Sequence, residues 1–136
     1  MKTKKSDLLK AMQTVLQEYK NKTHWVSCYK CSLCILFYDD MKNEDKECGK
    51  CPMTTFKISF NFGCMQRKCR PYDFRGYHPD KNSIILYESQ YQAVMEFYEK
   101  VIEKVKLMTY KEINKAGSFK FLIDIDNEVA EKYQII

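Results

Sequence analysis

Seven cysteines lie within one stretch of this 136-residue chain, and their spacing is suited to binding a metal ion. They are Cys28, Cys31, Cys34, Cys48, Cys51, Cys64 and Cys69. A C-x2-C turn aims two thiolates at one point, and two such turns supply the tetrahedron that Zn²⁺ accepts. Cys31/Cys34 and Cys48/Cys51 are two such pairs, thirteen residues apart. We therefore predict that these four thiolates bind one structural Zn²⁺.

Three cysteines remain beyond this quartet, and the sequence leaves their role open. A second metal site could draw its ligands from Cys28, Cys64, Cys69, His24 and His78. Alternatively, some of these cysteines are buried apolar thiols, or Cys64 or Cys69 replaces Cys48 as a ligand. Because Cys28 precedes Cys31 by the same two-residue spacing, an iron–sulfur cluster is an alternative cofactor, its fourth ligand coming from a distance.

Two other cysteine chemistries are less well supported by the sequence. A disulfide framework is disfavoured because the number of cysteines is odd and no export signal is seen. A redox pair usually follows a strand and opens a helix, and no clear strand precedes Cys31. The cysteines are therefore interpreted as metal ligands.

The elements that must position these cysteines are predicted from apolar periodicity. Residues 6–19 form an amphipathic helix with Ser6 as its N-cap, and residues 87–108 form a long one. The long helix packs on its own domain, with a coiled-coil seam between chains as the alternative. Residues 55–62 and 119–125 alternate as strands do, and a short helix over residues 127–133 closes the chain.

The length predicts one domain with three segments. These are an N-terminal helix over residues 1–23, a metal-binding cysteine-rich region over 24–80 and a helical and mixed tail over 81–136. The predicted fold class is α+β, with a small zinc-ribbon or treble-clef-like middle, a helix on either side and a few short strands.

Several residues of the middle segment match a known pattern. His24-Trp25 is followed by the C-x-L-C of Cys31 to Cys34, by Cys51-Pro52 with Cys48, and by a cysteine just before Pro-Tyr. The last part comprises Cys69, Pro71 and Tyr72. Over residues 24–72 the chain resembles small cysteine-rich proteins of tailed phages and prophages. The resemblance implies a metal site and a mobile-element origin but no reaction, and Cys28 and Cys64 are additions to its pattern.

A basic segment, residues 67–81, is a second candidate site. Cations can hold phosphates while aromatic rings stack on bases, as in single-strand binding. The candidate residues are Arg67, Lys68, Arg70, Tyr72, Arg75 and Tyr77. Because Asp73 and Asp80 dilute this charge, a surface loop pinned by its aromatic residues is the favoured interpretation.

Charge and motifs give expectations about partners. Residues 1–87 carry a balance of +7 and residues 88–136 one of −2. No hydrolase or transferase motif is present, and Asp124 and Asp126 on a predicted strand are interpreted as its solvent face. We expect a non-enzymatic accessory protein that binds another protein, as a virion component or as an inhibitor of host defence. Nucleic acid is the alternative partner, and an oligomer through the 87–108 helix is a further candidate.

The compartment is also an expectation from the sequence. No signal peptide or transmembrane run is seen, so we expect a cytoplasmic protein without a membrane partner. For a phage-encoded protein, this compartment is the host cytoplasm.

Overall fold

Five helices and one short pair of strands make up the residues that the structure describes. The structure is a computed structural model, and it describes residues 2–23, 31–37, 77–78, 83–84 and 88–133. The helices are α1 (Lys5–Lys20), α2 (Ser32–Leu36), α3 (Glu88–Leu107), α4 (Tyr110–Ile113) and α5 (Phe121–Lys132). The strands are β1 (Tyr77–His78) and β2 (Ser83–Ile84), which pair antiparallel with Tyr77 opposite Ile84 and His78 opposite Ser83.

Helices α1 and α3 form the centre of the core because each buries one continuous apolar stripe. Leu8, Met12 and Val15 on α1 are fully buried, as are Val94 and Val101 on α3. The two helices pack directly on each other. A stacked aromatic pair, Tyr19 and Tyr98 with ring centroids 5.8 Å apart, joins them near the end of α1. Both predicted amphipathic helices are confirmed.

The start of α1 differs from the sequence-based expectation. The N-cap is Lys4, whose side chain makes no capping hydrogen bond, and Ser6 already lies inside the helix. The Lys4 carbonyl accepts the Leu8 N–H at 3.0 Å. Asp7 lies in the first turn, where a carboxylate is favoured by the helix dipole. The prediction of Ser6 as the N-cap is therefore wrong by two positions.

The long stripe of α3 is covered within the single chain. Tyr91, Phe97, Tyr98, Ile102 and Val105 are all buried, and α3 packs against both α1 and α5. This agrees with the prediction that the helix packs on its own domain. Of the apolar residues proposed as a coiled-coil seam, those from Tyr91 to Met108 lie inside the chain's own core.

The prediction of an α+β, zinc-ribbon or treble-clef-like fold is wrong, because the described part of the chain is helical. The strand predicted over residues 119–125 is a turn followed by the first residues of α5. The same residues also belong to a helical apolar repeat, in which Leu122, Val129 and Ala130 are buried while Ile123 is exposed. The strand-like alternation of apolar residues extends over only seven residues, whereas the 3.6-residue apolar repeat extends over the twelve residues of α5, and the chain folds as a helix. The strand predicted over residues 55–62 lies outside the described residues.

Two ion pairs hold α5 against α3. Lys132 Nζ lies 2.6 Å from Glu96 Oε1, and Lys100 Nζ lies 3.0 Å from Glu128 Oε1. Because Glu128 and Lys132 are largely exposed, the pairs set the alignment of the helices more than the stability of the fold. Most of the stability at this contact comes from buried apolar residues of the two helices.

A tight connection leads from α3 into α5. Thr109 caps α4: its side chain accepts the Glu112 N–H at 3.1 Å, and its own N–H donates to Glu112 Oε1 at 2.9 Å. Helix α4 ends at Ile113, and Gly117 adopts a left-handed φ of 76° in the following turn.

Candidate metal centre

The first cysteine pair lies at the start of the short helix α2. Cys31 is the N-cap of α2, with extended backbone angles of φ −71° and ψ 122°, and its carbonyl accepts the Ile35 N–H at 2.9 Å. Cys34 is the third residue of the helix, so the pair spans its first turn. The backbone therefore places this C-x2-C sequence in a fixed turn rather than in an extended segment.

Helix α2 is attached to the scaffold through its second residue, Leu33. Leu33, between the two cysteines, is only 1% exposed and belongs to the main hydrophobic core. Cys31 is partly buried and packs against the same core, and α2 lies against α1. Ile35, two residues after Leu33, is 53% exposed. Leu33, together with the partly buried Leu36 and Phe37, thus fixes the position of the cysteine pair relative to α1.

Most of the other predicted metal ligands lie outside the residues that the structure describes. Cys28, Cys48, Cys51, Cys64, Cys69 and His24 lie outside these residues. His78 lies in β1, opposite Ser83. Within the described ranges, no group of three or more His, Cys, Asp or Glu residues is arranged to hold a metal ion. The four-thiolate site therefore remains a prediction.

The predicted nucleic-acid-binding residues are similarly placed. Tyr77 is in β1 and pairs with Ile84. The remaining candidates, Arg67, Lys68, Arg70, Tyr72 and Arg75, lie outside the described residues. The structure therefore places Tyr77 and His78 of the basic segment in a short antiparallel pair of strands. The nucleic-acid interface remains a prediction.

The two carboxylates considered as a pair have different surroundings. Asp126 is fully buried on α5, whereas Asp124 is exposed. The prediction that both lie on the solvent face of a strand is therefore wrong, because residues two apart on a helix point about 200° apart. Asp126 lies four residues after Leu122 and three before Val129, so the helical repeat was the signal that would have located it.

Glu96 is a further polar residue that the sequence reasoning did not single out. Its Oε1 accepts hydrogen bonds from Lys132 at 2.6 Å and from the Tyr133 hydroxyl at 3.5 Å, while its buried Oε2 has no hydrogen-bond partner among the described residues. The hydrogen bond to Glu96 raises the pKa of Lys132, so that ammonium group stays charged to higher pH. The pair therefore acts as a fixed contact between α3 and α5.

A groove of about 620 Å³ lies beside Glu96, between α1 and α3. Its apolar floor includes Leu16 and Ile102, and its rim includes Glu103 and Lys106. Lys106 Nζ lies 3.9 Å from Glu103 Oε1, so the rim carries charges of both signs. This alternation does not favour a ligand of one charge, and we assign no ligand to the groove.

Comparisons with protein families, curated proteins and solved structures gave no match to this chain. In the part of the chain that the structure describes, no helix is long and apolar enough to cross a membrane. The functional assignment therefore depends on the cysteine spacing and on how α2 is held.

Proposed function

We propose that Cys31, Cys34, Cys48 and Cys51 bind one Zn²⁺ and that the protein is a non-enzymatic binding module built around this site. The observation that carries the proposal is the attachment of α2. Its buried Leu33 fixes the first cysteine pair against the helical scaffold. A metal bound there would connect the second pair to that scaffold.

The length of α2 supports a structural role for the metal. A helix of five residues is not stable by itself, because nucleating the first turn costs more than its few hydrogen bonds return. Among its described side chains, Leu33 alone is fully buried. Coordination of a metal by both thiolates would hold the same turn in addition to Leu33. A structural zinc site contributes to the free energy of folding directly.

Metal analysis of variants tests this proposal. We expect protein purified without added metal to contain one zinc per chain, Cys31→Ser to lose it and Cys28→Ser to retain it. Cys28→Ser is the matched control, since it removes a thiol from the same run of cysteines. If wild-type protein with fully reduced thiols neither contains nor takes up zinc, the proposal is wrong.

An iron–sulfur cluster is the second candidate cofactor, and the C-x2-C-x2-C run of Cys28, Cys31 and Cys34 favours it. The same purification, done without oxygen, separates the two. Brown protein with visible absorbance that bleaches on reduction would favour the cluster. Colourless protein with stoichiometric zinc would eliminate it.

The proposed action is binding to another protein, as in a virion component or an inhibitor of host defence. The resemblance to phage and prophage proteins over residues 24–72 supports this role and a site of action in the host cytoplasm. We expect a specific partner to be retained from host lysate after nuclease treatment and to be released by Cys31→Ser. Retention of the same partner by the variant would separate this interaction from the metal site.

Nucleic acid is the alternative partner, favoured by the basic and aromatic residues of segment 67–81. In this case, a single-stranded oligonucleotide would bind in a salt-sensitive manner, and Arg67→Ala with Arg70→Ala would weaken it. Absence of binding at low salt would eliminate this alternative.

A further inference from the structure

Positive charge is concentrated at one end of the helical scaffold. Residues 2–7 and 103–120 contain eight lysines and three carboxylates, a formal charge of +5. The other described residues contain five lysines and eight carboxylates, a charge of −3. We call residues 2–7 and 103–120 the lysine corner. The sequence does not indicate this surface, because its two parts are far apart along the chain.

Long-range hydrogen bonds bring the two parts of the lysine corner together. The Thr3 N–H donates to Asn114 Oδ1 at 2.7 Å, and Asn114 Nδ2 donates back to the Thr3 carbonyl at 2.9 Å. Lys5 Nζ donates to the Lys106 carbonyl at 2.6 Å. These contacts place the lysines of the first residues beside those of the α3–α4 junction.

Most of these lysine side chains are exposed to solvent, with Lys106 lying 3.9 Å from Glu103 and Lys104 over the Phe121 ring. The exposed ones are Lys2, Lys4, Lys104, Lys106, Lys111, Lys115 and Lys120. One of the three carboxylates is already engaged, because Glu112 accepts the Thr109 N–H in the cap of α4. That hydrogen bond, and then the nearby Lys104 and Lys115, lower the pKa of Glu112. The corner therefore presents mainly ammonium groups.

Two large side chains protrude among these lysines. Leu107, the last residue of α3, is 83% exposed, and Tyr110, the first residue of α4, is 47% exposed. They are three residues apart, on either side of the Thr109 cap. Nothing in the described core needs Leu107, since the adjacent Met108 turns inward and is 8% exposed.

The composition of the corner identifies the class of partner. Every cation in it is a lysine, which acts as a point charge, whereas arginine predominates where phosphates are bound in bidentate fashion. Lysine is also depleted in protein–protein interfaces. Clustered lysines around a protruding leucine and tyrosine suit an anionic lipid surface, where headgroups attract the lysines and apolar side chains enter the interface.

We propose that the lysine corner binds the surface of anionic membranes, with Leu107 and Tyr110 entering the headgroup layer. This proposal departs from the sequence-based expectation of no membrane partner, which rested on the lack of a signal peptide and of a transmembrane run; surface binding requires neither. Binding is reversible and falls with salt, because exposed charges are screened within about 8 Å at physiological ionic strength. The proposal does not depend on the metal site.

Vesicle co-sedimentation of the full-length protein tests it. We expect binding to vesicles of phosphatidylcholine with phosphatidylserine, little binding to phosphatidylcholine alone, and loss of binding in high salt. Lys111→Glu with Lys115→Glu reverses two exposed charges of the corner and is expected to reduce binding at least about tenfold. Lys20→Glu with Lys22→Glu makes the same charge change outside the corner and is expected to have a small effect.

Leucine variants separate lipid insertion from charge attraction. Leu107→Ser is expected to weaken vesicle binding several-fold, whereas Ile35→Ser removes an exposed apolar side chain elsewhere and is expected to leave it unchanged. Circular dichroism confirms that each variant is folded. Equal binding to both vesicle types, or tighter binding to a single-stranded oligonucleotide that Leu107→Ser does not alter, would overturn the proposal.

Discussion

The helical scaffold and the first cysteine pair are held in place by different amounts of buried surface. Helices α1 and α3 bury apolar side chains along their whole length. Helix α2 has five residues; Leu33 is its one fully buried side chain among those described, and Leu36 and the adjacent Phe37 are partly buried against the same core. The scaffold can therefore fold through the hydrophobic effect, whereas the cysteine pair is held by a small apolar contact. This difference is the physical reason to expect a metal at the pair.

The largest predicted effect is a cavity in the scaffold. Phe97→Ala removes a fully buried ring and is expected to lower the free energy of unfolding by about 3–5 kcal/mol. Urea unfolding followed by circular dichroism measures it. Leu107→Ala is the control, since that side chain is 83% exposed, and it is expected to change stability by less than about 0.5 kcal/mol.

The second-largest effect is predicted for Leu33, the buried side chain that attaches α2 to the core. Leu33→Ala is expected to destabilise the protein by about 2–3 kcal/mol, the lower part of the range for buried leucines, because the rest of a short helix can shift toward α1. Zinc should also dissociate faster from this variant. Ile35→Ala, in the same helix but exposed, is the matched control. Equal effects of the two substitutions would show that α2 is not anchored through Leu33.

A smaller effect is predicted where α3 passes into α4. Thr109→Ala removes the capping hydrogen bond to Glu112 and is expected to cost about 1 kcal/mol in thermal or urea unfolding. Thr14→Ala replaces an exposed threonine in the middle of α1 and is expected to be neutral or slightly stabilising. A neutral Thr109 variant would mean that the α4 cap adds nothing to the fold.

The smallest predicted effect is the dependence of stability on acidic pH through Glu112. The Thr109 hydrogen bonds lower the pKa of Glu112 below 4.5, so the contribution of its carboxylate is present above that pH and is lost as the pH falls through the lowered value. An NMR titration of the Glu112 carboxyl should show the low pKa. Thr109→Ala keeps the backbone N–H that donates to Glu112 and removes only the side-chain hydrogen bond, so it should raise the pKa in part. An ordinary pKa for Glu112 in the wild-type protein would contradict the cap as its cause.

Sequence-based prediction of the helices was correct where a single apolar repeat is present, and it was wrong where a helical and a strand-like apolar repeat overlap. In α1 and α3 the apolar stripe repeats over four or more turns, so the helix assignment was correct. At the start of α5, Phe119, Phe121, Ile123 and Ile125 alternate by chance over a helical repeat, and a strand was predicted wrongly. The lysine corner could not be predicted, because Thr3 and Asn114 are 111 residues apart and only tertiary packing joins them.

Cysteine spacing predicted which residues could bind a metal, and the structure added how one pair is held. The sequence did not indicate that Leu33 would be the anchor, because it is followed by Ile35, Leu36 and Phe37, and so short an apolar run does not show which side chain faces the core. Burial of Leu33 became visible only from the packing of α2 on α1.

The most direct test of the metal site is a Co²⁺ titration of reduced, metal-free protein. Four thiolates around Co²⁺ give intense visible absorption that saturates at one equivalent and is displaced by Zn²⁺. We predict this spectrum for wild type and for Cys28→Ser, and a weaker, altered spectrum for Cys31→Ser. Absence of the absorption in wild type, or an unchanged spectrum in Cys31→Ser, would contradict a site built on the Cys31/Cys34 pair.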